Sequence, residues 1–68
     1  MSTDAAVIDL HPLVIEFFRE VPERHLTLDE AADELGVARR TLDGWATGAV
    51  PQPRHRRAIA AWLERGAR

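Results

Sequence analysis

With 68 residues and no cysteine, the chain is sized for one domain, and neither a disulfide framework nor a thiolate zinc site is open to it. All nine basic residues are arginine, against eleven acidic ones, for a net charge of −2, so any polyanion contact must come from a local basic face. No apolar run approaches the roughly 20 residues of a membrane span, and the start MSTDAAVIDL lacks the basic opening and cleavage site of a signal peptide. A cytoplasmic protein is expected.

Charge is unevenly placed. Residues 1–35 carry two arginines against nine carboxylates, a net of −7, and residues 36–68 carry seven arginines against Asp43 and Glu64, a net of +5. The second half therefore has the arginines from which a polyanion-binding face could be built. Mutual attraction of the two halves is the plainer use of the same charges.

Residues 1–8 show no pattern and are expected to form a flexible arm. A domain over 9–66 follows. Leu10, Leu13, Val14, Phe17, Phe18 and Val21 recur at helical spacing, which predicts a first helix over about 10–21 with its apolar stripe in the core. Asp9 or His11 suits its cap, and Pro12 fits its first turn. Pro22 disfavours helical geometry at Val21 and is expected to end it.

Thr27-Leu28-Asp29-Glu30 is a capping box in sequence, opening a second helix over 28–35. Gly36, the residue type that turns left-handed most cheaply, closes it. A third helix is expected over 38–47, with Ala38, Leu42 and Trp45 inward and Arg40, Asp43, Gly44 and Thr47 outward. Arg39 and Thr41 lie on its flanks. Gly44 weakens this helix and, facing outward, permits close approach by another molecule. After the loop Ala49 to Pro53 comes a last helix over 54–65, with Ile59, Trp62 and Leu63 inward and Arg54, Arg56 and Arg57 outward or flanking. His55 is expected to pack near Ile59. No segment alternates like a strand. The fold expected is all-α, a compact four-helix domain containing a helix-turn-helix and no wing.

Residues 28–48 resemble the helix-turn-helix of phage Cro and repressor proteins and their bacterial relatives. Ala32 sits where the helices approach closely, Gly36 and Val37 form the turn, and Leu42 and Trp45 take the buried positions. Gly48 and Pro51 follow as in the W-x-x-G ending of many members. The helices at 10–21 and 54–65 fall where that family has its first and fourth. Two positions depart from the pattern: Ala38 replaces the usual serine or threonine cap, and Gly44 replaces a long polar side chain. A lesser resemblance links LTLDEAADELGVARRTLDGW and the late Ala61-Trp62-Leu63 to excisionase and MerR-like winged-helix proteins. There, five residues with two prolines would have to form the wing, which they cannot do as a hairpin.

The first resemblance implies double-stranded DNA as partner, with helix 39–47 in the major groove. Arg40 would pair with guanine, Arg39 with a base or phosphate. Asp43 would accept from a cytosine amine, orient Arg39 or Arg40, or simply pair within its helix. Thr41 and Thr47 would donate to phosphates, Thr27 would place a helix amino terminus at one, and Arg54, Arg56 and Arg57 would bind others. A homodimer on half-sites about 34 Å apart is expected, with Trp62 or the Phe17/Phe18 edge as candidate dimer surfaces. The function implied is a small sequence-specific transcriptional regulator, most simply a repressor acting by promoter occupancy. A protein-interaction module that binds an acidic partner through the same arginines is the alternative from another class, and an excisionase-like architectural role is a further one. His11, His25 and His55 lack metal-ligand spacing, and the sequence offers no nucleophile–base pair and no glycine-rich phosphate loop. No enzyme activity, metal, cofactor or small-molecule ligand is expected.

Overall fold

The apolar stripes converge on one core. A computed structural model describes residues 10–66, which form α1 (Pro12–Glu23), α2 (Leu28–Leu35), α3 (Arg39–Ala46) and α4 (Pro53–Gly66). The domain is all-α, with no strand among the described residues. The arm expected over 1–8 and the alternative cap Asp9 lie outside them. No described helix is long and apolar enough to cross a membrane.

Helix α1 buries Val14, Phe17 and Val21, with Leu10, Leu13 and Phe18 partly buried beside them. His11 caps it, Nδ1 accepting from the Leu13 N–H at 3.1 Å, and Pro12 stands at the first helical position. Pro22 is not the stop that its residue type predicts, because the helix continues to Glu23. A proline near a helix end forfeits one internal hydrogen bond. Termination is set instead by His25 at φ +58°. There the Leu26 N–H donates to the Val21 carbonyl at 3.1 Å and the His25 N–H to the Pro22 carbonyl at 2.9 Å, a Schellman closure.

Helix α2 opens on both halves of its capping box: the Glu30 N–H donates to Thr27 Oγ1 at 3.1 Å, and the Thr27 N–H to Glu30 Oε1 at 2.8 Å. It closes on Gly36 at φ +78°, with the Val37 N–H returning to the Ala32 carbonyl at 3.0 Å. Ala31 and Ala32 are its buried residues.

Ala38 does not join the core stripe of α3. It is the N-cap, extended at φ −74° and ψ 150°, and exposed, because leaving the left-handed Gly36 takes extended residues before a new helix can start. The buried stripe is Leu42 and Trp45. Gly44 is half-buried. Its carbonyl accepts from the Ala49 N–H at 2.9 Å, and a Cβ built on it would lie 3.8 Å from the Ala49 methyl. The chain itself makes the close approach, in a third Schellman closure through Gly48 at φ +111°.

Helix α4 packs on α1 and α2, and α2 on α3. Trp62, fully buried, is its centre. The Phe17 ring lies 4.7 Å away, centroid to centroid, and the indole N–H donates to Glu34 Oε1 at 2.8 Å. The Arg24 guanidinium stacks 3.6 Å over the indole and donates to the Trp62 and Leu63 carbonyls at 3.1 and 3.3 Å. Glu20 holds Arg24 from the other side at 3.2 Å. A Cβ on Gly66 would run into that guanidinium. Trp62 and Phe17, both fully buried, therefore offer no dimer surface. Phe18, half-buried, retains an exposed edge.

Candidate nucleic-acid interface

With Leu42 and Trp45 inward, α3 turns Arg39, Arg40 and Asp43 to solvent, and Thr41 is half-buried. The two arginines, adjacent in sequence, differ sharply. Arg39 is held by two carboxylates: Nη1 donates to Asp29 of α2 at 3.1 Å, and Nε to Asp43 one turn along α3 at 3.3 Å. The Asp29 hydrogen bond is the chief reason its pKa is raised above the ordinary arginine value. Desolvation opposes the shift, and Asp43 adds to it through its charge and hydrogen bond. A raised basic pKa favours folding below the unfolded value and loses that benefit only as pH rises through the folded one. For an arginine already raised above its ordinary value this lies far on the alkaline side, so Arg39 stays charged at every working pH. Arg40 has no hydrogen bond or ion pair among the described residues and is the free cation of α3. Asp43 takes the plainest of its expected roles, the pair within its own helix.

The hydroxyl groups are mostly engaged. Thr47 Oγ1 donates to the Gly44 carbonyl at 2.9 Å, so its proton closes the helix end and is not offered to a phosphate. Thr27 gives its N–H to Glu30 and accepts from it, leaving only its hydroxyl proton. Asp29 and Glu30 occupy the first turn of α2, where their charge opposes an approaching phosphate. Thr41 makes no side-chain hydrogen bond among the described residues.

The arginines of α4 divide in the same way. Arg56 is half-buried, and its Nη1 donates to the Pro51 carbonyl at 2.8 Å, fixing the loop from α3. Arg54 and Arg57 are exposed and make no ion pair among the described residues. His55 lies half-buried with its ring 5.6 Å from Trp45, so a contact that joins α3 to the start of α4 runs through Trp45. Arg57 also lines an open cleft of about 360 Å³ shared with His11, Leu13, Pro53, Arg56 and Ala60.

Of the expected contact residues, Arg40, Arg54 and Arg57 thus have no ion-pair partner among the described residues, while Arg39, Asp43, Thr27, Thr47 and Arg56 are bonded within the fold. Asp29 and Arg24 carry weight that sequence spacing did not reveal. Asp29 meets Arg39 across ten residues and Arg24 meets Trp62 across 38, separations at which no helical repeat signals a pair. The wider surface is not basic, since residues 28–46 hold five carboxylates against two arginines. The chain matches no protein-family model, no curated protein and no solved structure.

Proposed function

We propose that this chain is a small sequence-specific DNA-binding regulator in which α2 and α3 act as a helix-turn-helix. One observation carries the reading. A short helix locked from beneath by Leu42 and Trp45 presents the guanidinium of Arg40, which, like Arg54 and Arg57 on the next helix, has no ion pair among the described residues. A major groove admits such a helix, and Arg40 can make the bidentate contact to guanine O6 and N7, worth about 1–3 kcal/mol of discrimination. Arg54 and Arg57 meet phosphates, positioning the domain without reading sequence. Arg56 and Thr47 act indirectly by holding the loop and the end of α3. A lone unit has few base contacts, so a homodimer on a pseudo-palindrome is the working form, and promoter occupancy gives repression. Such a protein works in the cytoplasm, at the nucleoid.

The five carboxylates across 28–46 favour a second reading, a protein-interaction module that uses the same free arginines on an acidic partner. Site selection from random duplex DNA, followed by salt titration of the selected duplex, separates the two. Under the first reading a motif is enriched. Arg40→Ala then relaxes preference at one position, while Arg57→Ala weakens all duplexes alike and flattens the salt slope by about one. Failure to enrich any motif, with no binding even at low salt, overturns the DNA reading and leaves the interaction module.

A further inference from the structure

We infer that Asp29 is a positioning residue for DNA selectivity, holding Arg39 away from the phosphate backbone until a cognate site draws it off. The inference rests on the DNA-binding reading.

Arg39 opens α3 beside Arg40 and would otherwise be a second free cation at the same edge. Its guanidinium is instead committed to carboxylates from two different helices, at 3.1 Å to Asp29 and 3.3 Å to Asp43. The two acids are not equivalent. Asp43 is four residues along the same helix and can pair with Arg39 wherever α3 is helical. Asp29 reaches it only because α2 docks on α3 and places its acidic first turn beside the start of the next helix. Its bond therefore belongs to the folded surface.

The pairing is easily opened. The side chains of Arg39, Asp29 and Asp43 are 44%, 76% and 61% exposed, and exposed ion pairs contribute little. A well-placed acceptor on DNA can thus replace Asp29. A passing phosphate cannot do so as readily, because it meets the two carboxylates along with the arginine. On random duplex, Arg39 stays paired and releases no counterion. On a cognate duplex, an acceptor aligned with the guanidinium takes it over. The acidic surroundings that disfavour general DNA binding thereby raise the ratio of specific to non-specific affinity, the quantity that matters among many competing sites.

The test uses the full chain on the selected duplex and on a random one. Asp29→Asn frees Arg39 from a charged partner at an exposed position, and a circular dichroism melt checks that the fold persists. Asp29→Ser, also suited to a first helical turn, repeats the measurement if the first variant is unstable. Random-duplex binding is expected to tighten, by up to about tenfold near 0.1 M salt, with the slope steeper by about 0.9, as one added phosphate contact requires. The selected duplex gains less, so the selectivity ratio falls. In an Arg39→Ala background the Asp29→Asn change should have no such effect. A gain that persists there shows general charge repulsion and overturns the inference. So does an Asp29→Asn variant with unchanged affinity and slope, provided the wild type binds. If neither protein binds any duplex at low salt, the DNA reading itself has failed, and this inference with it.

Discussion

Helices α1 and α4 meet with large side chains on both sides, whereas α2 brings its small Ala31 and Ala32 and polar ties to the larger side chains of α3. The first pair brings Val14, Phe17, Ile59 and Trp62 together, all fully buried. The second rests on Ala31 and Ala32 of α2 with Leu42 and Trp45 of α3. Its remaining order comes from the capping box, two Schellman closures and the Asp29–Arg39 pair. Burial at about 25 cal/mol per Å² makes the first pair the anchor. The second pair can therefore vary its outward chemistry at low cost in stability.

The largest effect should come from breaking the anchor. Trp62→Ala removes the ring that Phe17, Arg24 and Glu34 all contact, and truncation of a buried tryptophan costs about 3–5 kcal/mol. Single domains have only about 5–15 kcal/mol in total, and small ones sit low in that range. The variant is expected to be largely unfolded at 25 °C by circular dichroism and urea titration. A loss below about 1 kcal/mol would mean that α1 and α4 are not the anchor.

A smaller change should sharpen the other half. Ala38 has the extended geometry of an N-cap but no side-chain hydrogen bond. Ala38→Ser offers an oxygen to the N–H of Arg40 or Thr41, and such caps are worth about 1 kcal/mol. The urea midpoint should rise with the slope unchanged. An unchanged midpoint would show that the amino end of α3 is already satisfied by solvent as well as by any cap.

These two sites also mark what sequence can reveal. Contacts within a few residues were legible: the Thr27–Glu30 box, the Gly36 turn, and the stripe of Val14, Phe17 and Val21. Pro22 misled because its penalty falls on one hydrogen bond, while the helix end is fixed by the residue that turns left-handed. Ala38 and Gly44 misled because helical periodicity assigns a side to every residue and cannot show where a turn folds back, as Ala49 does over Gly44. Long side chains were least legible. Arg24 and Arg39 resemble Arg40, Arg54 and Arg57 in sequence, yet beside their local pairs each bonds a partner that only the tertiary arrangement brings near, the Trp62 and Leu63 carbonyls for one and Asp29 for the other.

The smallest effect lies at the joint between the two halves, where α1 ends and α2 begins. His25 holds φ +58°, a left-handed conformation that costs an L-residue about 1–2 kcal/mol. Gly36 and Gly48 do the same work in the two later closures without that strain. Glycine gives back part of the benefit, since its unfolded state is freer by about 0.5–1 kcal/mol. His25→Gly should therefore stabilise the domain by a few tenths to about 1 kcal/mol, read as a higher urea midpoint. The exposed imidazole makes no hydrogen bond among the described residues that its removal would forfeit. A fall in stability would mean that His25 ties the halves together through its side chain. A rise locates a point of backbone strain where the anchored pair hands over to the lightly packed one.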